Sequence, residues 1–194
     1  TRPRFSWNAA LAVDPLDPGT LYLGSQFVHR SRDRGETWEV ISPDLSRNDK
    51  TKQDYSGEPI TKENTGVEVY SNILSFEESP HRKGELWAGT DDGLVHVSRD
   101  AGKSWSQVTP KGLPEWATIQ MIELSPHSAD RVYVVAHKYK LRDPRPFVFR
   151  SDDSGAMLAD ASATMFRRLG PSRDQAVLRG GALASQLAAA WQAA

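Results

Sequence analysis

Carboxylate and aromatic side chains that could do chemistry stand together in a few polar segments of this sequence. Asp91 and Asp92 are adjacent and precede Gly93, and Glu68 stands two residues before Tyr70. Two carboxylates facing each other across a cleft are what glycoside hydrolysis requires, and carboxylate oxygens also bind Ca²⁺. An Asp-Gly pair is equally a favoured tight turn, and we favour the turn for residues 91–93.

The segment around Glu68 also has a structural interpretation. Val67-Glu68-Val69-Tyr70 alternates apolar and polar residues, which is typical of a strand with one buried face, and we favour this interpretation. Glu115 is a further carboxylate in a polar segment. No motif pairs it with another acid, so the catalytic residues stay unassigned.

Aromatic and histidine side chains offer binding rather than bond-breaking chemistry. Trp116 and Tyr139, with His137 close by, could stack on a sugar ring or anchor a peptide, and Trp116 could equally fill a gap between packed elements. His29 and His96 recur at equivalent places, which indicates packing or a surface stripe. Without carboxylate or histidine partners at ligand spacing, we predict no metal site and no cofactor.

Composition excludes several classes of protein. The 194 residues include 24 Lys and Arg against 25 Asp and Glu, so no basic surface for nucleic acid is expected. The absence of Cys excludes disulfides and thiolate catalysis. The sequence has no run of 18 apolar residues, so we predict no transmembrane helix, and no leader pattern follows Thr1.

An internal repeat supplies the elements that must position these side chains. The pattern Ser-x-Asp-x-Gly-x-[Thr/Ser]-Trp, here called the SxDxG turn, occurs twice, and a third copy has Leu158 where Trp is due. Its residues are Ser31, Asp33, Gly35 and Trp38, then Ser98, Asp100, Gly102 and Trp105, and last Ser151, Asp153 and Gly155. We expect the turn to join two antiparallel strands, with Asp closing it and Trp entering the next strand.

A second spacing fixes the register of three repeat units. Pro15–Tyr22, Pro80–Trp87 and Pro126–Tyr133 are each seven residues apart. With the apolar runs around them, each unit reads as four short strands, the last of the third unit at residues 165–169. Four antiparallel strands repeated at about 45 residues are typical of a β-propeller blade.

We therefore predict an all-β fold, a partial β-propeller of three four-stranded antiparallel blades with a C-terminal helix as an added option. The predicted divisions are blade 1 at 1–45, an inserted loop at 46–72, blade 2 at 73–114, blade 3 with a degenerate end at 115–171, and an Ala-rich tail at 172–194. A closed six- to eight-bladed ring needs roughly 270–360 residues, so the length indicates a fragment whose missing blades would be its partners.

The repeat resembles the Asp-box, or bacterial neuraminidase repeat, which is found in sialidases, sortilin-type receptors, xyloglucan-degrading hydrolases and photosystem assembly factors. The stretch from Asn64 to Ser125 resembles bacterial sortilin-like proteins labelled glycosyl hydrolases. The resemblance covers about residues 8–155. It implies that the residues of the SxDxG turns are structural, and that Leu158 leaves the last strand of the third unit in doubt.

The resemblance also implies where a ligand would bind. In sialidase-like propellers the site lies on the face opposite the Asp-boxes, and the elaborated loops of this chain belong to that face. The predicted ligand-face residues are Glu68, Tyr70, Asp91, Asp92, Trp116, His137 and Tyr139. A Tyr activated by Glu is the sialidase nucleophile arrangement, but the arginine triad of sialidases has no counterpart that we can assign here.

These observations predict a binding or scaffold module that recognises a protein or a glycan, on a secreted or cell-envelope protein. The alternative is a fragment of a xyloglucanase- or sialidase-like glycoside hydrolase. An assembly factor is a third, weaker interpretation. Whether the chain is an enzyme stays open, with a non-enzymatic role favoured for this stretch.

The composition changes abruptly at Ala156, inside the third repeat. Residues 156–194 contain 12 Ala in 39 residues. A helix over residues 175–194 that caps the last blade is one explanation. A reading-frame change in the encoding DNA, which would leave residues not native to the protein, is the explanation we favour.

Overall fold

The computed structural model of the chain describes residues 2–54 and 69–162. Within these ranges twelve strands form three four-stranded antiparallel sheets, in the orders β1-β2-β3-β4, β5-β6-β7-β8 and β9-β10-β11-β12. These are called sheets 1, 2 and 3. The predicted all-β class and the three four-stranded units are confirmed. The predicted C-terminal helix and the segment 165–169 lie outside the described residues.

Each sheet follows the chain without a crossover. Sheet 1 contains β1 (Leu11–Val13), β2 (Leu21–Gly24), β3 (Val28–Ser31) and β4 (Glu39–Val40). Sheet 2 contains β5 (Ile73–Glu78), β6 (Leu86–Thr90), β7 (Val95–Ser98) and β8 (Ser106–Gln107). Sheet 3 contains β9 (Thr118–Leu124), β10 (Val132–Lys138), β11 (Asp143–Ser151) and β12 (Ala159–Asp160). Short 3₁₀ helices occupy Lys50–Lys52 and Tyr139–Leu141.

The last strand of sheet 3 lies earlier than the predicted segment 165–169, and begins eight residues after the turn's Ser151, the same offset as in the other two sheets. Ala159 and Asp160 pair with β11, and Ala161 N–H donates to Val148 O at 2.7 Å. Ser162 Oγ accepts from Val148 N–H at 2.9 Å, as Ser42 and Thr109 hydroxyls do for the matching backbone groups of sheets 1 and 2. The repeat thus continues through residue 162 without its Trp. Both explanations of the tail beyond it stay predictions.

The segment 137–146 is largely a hairpin. β10 extends to Lys138 and β11 begins at Asp143. His137 pairs with Pro146 and Lys138 with Asp143, with a register shift between the two pairs. Arg142, in the left-handed region at φ 63°, ends the short 3₁₀ helix between them.

Two apolar cores lie between neighbouring sheets. Tyr22 of sheet 1 packs with Phe76 of sheet 2, ring centroids 4.9 Å apart, and Val28, Ile73 and Leu86 complete this core. The second core joins sheets 2 and 3, and its buried members include Trp87, Val97, Ile122, Val134 and Phe149. Burial of these side chains between sheets is the main stabilising contribution to the stack.

The SxDxG turns take part in this stacking through their glycines. Gly35, Gly102 and Gly155 have φ of 97°, 90° and 82°, a region that favours glycine. A Cβ on Gly102 would lie 2.9 Å from the carbonyl oxygen of Ile41, which directly follows β4 of sheet 1, and one on Gly155 would overlap the Trp87 ring in sheet 2. On Gly35 the nearest atoms would be 3.8 Å away. The second and third turns therefore rest on the preceding sheet.

Candidate functional site

The two ends of the sheets carry different kinds of connection. The β3–β4, β7–β8 and β11–β12 connections are the SxDxG turns. The opposite end, here called the second face, carries the β2–β3 type connections and the links between sheets. Its described segments are residues 25–27, 44–54, 69–72, 90–94, 110–118 and 137–146.

In the SxDxG turns, Ser and Asp hold the backbone. Ser31 Oγ donates to Asp33 Oδ1 at 2.7 Å and accepts from Gly35 N–H at 2.7 Å, while Asp33 accepts from Thr37 N–H and Oγ1. Ser98, Asp100 and Ser104 repeat these bonds in the second turn. In the third turn Ser151 and Asp153 keep the backbone bonds, but Met157 offers no hydroxyl.

Those hydrogen bonds lower the pKa of the turn carboxylates, which suits a structural role and not proton transfer. The Thr37 hydroxyl and backbone N–H lower the pKa of Asp33 to about 2, and Ser104 does the same for Asp100. The pKa of Asp153 is lowered as well, by the Ser151 hydroxyl first. A carboxylate that is ionised at all ordinary pH values cannot act as a general acid.

On the second face, Asp91 ties three segments together. Its carboxylate accepts from Asn72 N–H at 2.8 Å, and its carbonyl accepts from Tyr70 Oη at 3.2 Å and Thr118 Oγ1 at 3.1 Å. Burial raises the pKa of Asp91 to about 7, with a smaller contribution from the neighbouring Asp92 and an opposing one from the Asn72 N–H.

Asp92 anchors the inserted loop from a fully buried position. It accepts from Thr90 Oγ1 at 2.6 Å and from Arg47 N–H at 2.9 Å, and Arg47 Nε donates to Asp92 O at 2.8 Å. Gly93 closes the turn at φ 90°, where a Cβ would lie 2.7 Å from Ala117 O. Both carboxylates of residues 91 and 92 are therefore engaged in holding loops.

Trp116 is the centre of an aromatic and cationic group. The Arg47 guanidinium carbon lies 4.8 Å and the Lys52 ammonium 4.7 Å from its ring centre, and the Tyr70 ring centroid is 6.4 Å away. Trp116 has φ 64°, a left-handed conformation that is strained for a large side chain. Such strain persists only where surrounding contacts hold the residue, as the two cation–π contacts do here.

A second aromatic pair lies on the third sheet's hairpin. The His137 and Tyr139 rings are 4.5 Å apart, and His137 Nε2 lies 3.1 Å from Gln120 Oε1. Burial, with the nearby Lys140, lowers the pKa of His137. His137 pairs with Thr118, whose hydroxyl donates to Asp91 O, so this hairpin adjoins the Asp91 segment. The Tyr139 side chain is exposed.

The structure thus brings most of the predicted ligand-face residues to one end of the sheets. Tyr70, Asp91, Asp92 and Trp116 form one connected group, and His137 with Tyr139 adjoins it. Glu68 lies outside the described residues. Arg47 and Lys52 were not predicted from the sequence. No residue pattern in the polar segment 46–72 indicates which of its cationic side chains will contact Trp116.

The described residues hold no group of three His, Asp or Glu side chains arranged to bind a metal ion. His96 lies among buried side chains, and burial lowers its pKa to about 4. In the part of the chain that is described, no helix is long and apolar enough to cross a membrane.

Replacing Asp92 by Asn is expected to destabilise the chain by about 1–2 kcal/mol. Both carboxylate oxygens of Asp92 accept hydrogen bonds, so the NH₂ group of Asn would face a donor and leave it without an acceptor. Glu115→Gln is the matched control, since Glu115 is exposed and its 3.4 Å ion pair with Arg47 contributes little. Urea unfolding measures both free energies. Equal stabilities for the two variants would contradict the anchoring role of Asp92.

Comparisons with known proteins indicate the fold. No family model matches the chain. The chain is 27% identical over 135 residues to an oligoxyloglucan-reducing end-specific xyloglucanase of Emericella nidulans, a match that covers 64% of this chain and 15% of that protein. The chain therefore spans only a small part of the curated relative's length.

Solved structures resemble the chain at low sequence identity. An ancestral GH74 enzyme superposes with a TM-score of 0.54 and 16% identity over 83% of this chain and 20% of that one. YCF48 from Cyanidioschyzon merolae gives a TM-score of 0.45 and 19% identity, covering 82% of this chain and 41% of that protein. The superposition on the ancestral GH74 enzyme and the three four-stranded antiparallel sheets indicate a β-propeller-type fold.

Proposed function

We propose that the second face is a binding surface for a carbohydrate chain, in a scaffold or recognition module of a secreted or cell-envelope protein. The observation that carries the proposal is that exposed Tyr139, packed against His137, lies at the same end of the sheets as the Tyr70–Trp116 group and the cations Arg47 and Lys52. The two groups are linked because His137 pairs with Thr118, whose hydroxyl donates to Asp91 O. Flat aromatic faces stack on sugar rings, while cationic and amide side chains donate to sugar hydroxyls.

The turn geometry and the relatives add support. The Ser–Asp–Gly bonding repeated three times is what an Asp-box would require, and we propose that assignment for the SxDxG turns. The name of the Emericella nidulans relative points to xyloglucan-type oligosaccharides as the first ligands to try. A protein ligand on the same face is the other outcome of the ligand screen.

A glycoside hydrolase fragment is the second candidate, and the similarity to a xyloglucanase favours it. Against it, Asp91 and Asp92 are buried and both carboxylates already accept hydrogen bonds from the loops. A catalytic pair needs one carboxyl free to protonate a leaving group and one facing the sugar. We therefore favour binding without turnover.

Titration calorimetry with xyloglucan oligosaccharides tests the proposal, alongside a reducing-sugar assay for turnover. We expect Tyr139→Ala and Trp116→Ala each to weaken binding by about tenfold, the effect of losing one aromatic contact. Trp38→Ala is the matched control, because this exposed Trp belongs to an SxDxG turn on the opposite end. Equal loss in all three variants, or no binding by the wild type, rejects the glycan proposal; turnover favours the hydrolase.

A further inference from the structure

The β10–β11 hairpin is longer than the connections that match it in the other two sheets. Counted from the shared Pro and the turn Ser, it has ten residues, 137–146, against three (91–93) in sheet 2 and one (Gln26) in sheet 1. Its strands continue for two residue pairs beyond Ala136, which adds roughly 7 Å of paired strand. The tip is therefore exposed because of the hairpin's own length.

Positive charge is concentrated on this hairpin. Residues 137–146 contain four cations and one acid, a net charge of +3 in a chain whose total is -1. The acid is Asp143, and both of its carboxylate oxygens accept hydrogen bonds from Arg145. Among the residues that the structure describes, Lys138, Lys140 and Arg142 form no ion pair. Three uncompensated cations this close together attract an anionic partner.

Two large apolar side chains are exposed at the same tip. Tyr139 and Leu141 are 58% and 55% exposed, and every residue from 139 to 142 is exposed. The short 3₁₀ helix Tyr139–Leu141 turns the chain there, and Arg142 ends it at φ 63°. Leaving Leu141 in water costs free energy that contact with an apolar phase recovers. A partner that suits this tip must therefore offer both anionic groups and an apolar phase.

A lipid surface with anionic headgroups offers both. Lys and Arg side chains are attracted to its phosphates, a Tyr ring lies at the level of the headgroups, and a Leu side chain enters the acyl boundary. An acidic polysaccharide would satisfy the cations but leave Leu141 in water. Sites for small ligands are concave, whereas this tip is a projection that can lie on a broad, flat surface.

We propose that the tip of the β10–β11 hairpin docks on an anionic phospholipid surface, as a contact on the membrane and not a span. Each unpaired cation near such a surface strengthens binding by about fivefold, and Leu141 adds an apolar anchor. Lys140, Leu141 and Arg142 have no part in the proposed sugar site. The membrane contact therefore stands or falls separately from sugar binding.

Flotation of the full chain with lipid vesicles tests the proposal. One set of vesicles is phosphatidylcholine alone, and the other contains about 30% phosphatidylglycerol, which carries a negative charge. We expect the chain to bind the anionic vesicles and not the neutral ones. Binding should weaken as the salt concentration is raised from about 50 mM to about 300 mM, because salt screens exposed charges.

The double variant Lys140→Glu, Arg142→Glu is expected to weaken vesicle binding at least about 25-fold, since two cations worth about fivefold each are lost. The matched control is the double variant Lys83→Glu, Lys103→Glu. It has the same net charge, and its two substitutions are exposed at the end of the sheets that carries the SxDxG turns. Both variants should keep the wild-type unfolding midpoint, because all four side chains are exposed.

Leu141→Ser tests the apolar anchor without changing the charge. We expect it to weaken vesicle binding about tenfold, the effect of one apolar side chain that stays in water. Leu16→Ser is its control, because Leu16 is exposed at the opposite end of the sheets. Equal binding to neutral vesicles, no binding to anionic ones, or tip variants no weaker than their controls overturns the proposal. Binding to soluble polyglutamate but not to vesicles also overturns it, and makes an acidic peptide the partner.

Discussion

Gly155→Ala is expected to destabilise the chain by about 4 kcal/mol, the largest effect of any single substitution proposed. The new methyl group would overlap the ring of Trp87, which is fully buried and cannot move aside. Overpacking of this kind costs about 1–3 kcal/mol, and a left-handed alanine adds about 1–2 kcal/mol. Guanidinium unfolding followed by tryptophan fluorescence measures the difference.

Gly35→Ala separates the two contributions. Its φ of 97° imposes the same backbone strain, but a Cβ there has no neighbour nearer than 3.8 Å. We expect a loss of only about 1–2 kcal/mol, from the strain alone. A Gly35→Ala loss as large as that of Gly155→Ala would show that contact with the preceding sheet is not what the third glycine provides.

Glu77→Gln is expected to stabilise the chain by about 3 kcal/mol at pH 8 and to leave it nearly unchanged at pH 4. Burial raises the pKa of Glu77 from 4.5 to about 7, with a smaller contribution from Glu123 and an opposing one from the Leu124 N–H that it accepts at 2.9 Å. The folded state therefore prefers the protonated form, and the stability present below pH 4.5 is lost as the pH rises through 7.

Gln removes this dependence, because it is neutral and keeps an acceptor for Leu124 N–H. Unfolding free energies at pH 4, 6 and 8 measure it, with the exposed Glu36→Gln as the control. Part of the pH dependence should remain in Glu77→Gln, because the pKa of Asp91 is also raised to about 7. A wild type whose stability does not fall between pH 5 and pH 8 contradicts the prediction.

The sequence predicts the fold well because two of its signals have local causes. The seven-residue step from Pro15 to Tyr22 and its two repeats mark a turn and a buried second-strand aromatic. The last strand of sheet 3 was misplaced because the Trp that marks it elsewhere is Leu158. The backbone hydrogen bonds at Ala161 and Ser162 form without that Trp. A hydroxyl residue eleven positions after the turn's Ser, present as Ser42, Thr109 and Ser162, marks the strand in all three sheets.

The ligand face is less predictable, because its geometry arises from contacts distant in sequence. Asp91 and Asp92 were correctly favoured as turn residues, a local property. Arg47 meets Asp92 and Trp116 only because the inserted loop folds back across 45 and 69 residues of chain. The left-handed conformation of Trp116 depends equally on these tertiary contacts.

The way the second and third SxDxG glycines rest on the sheet before them gives the molecule a direction. Gly102 needs Ile41 in place, and Gly155 needs Trp87, but neither earlier sheet needs the later turn to close its own strands. During synthesis the earlier sheet emerges from the ribosome first and serves as a template for the next. Nearest-neighbour order of this kind favours folding that spreads from the N-terminus toward the C-terminus as the chain is made.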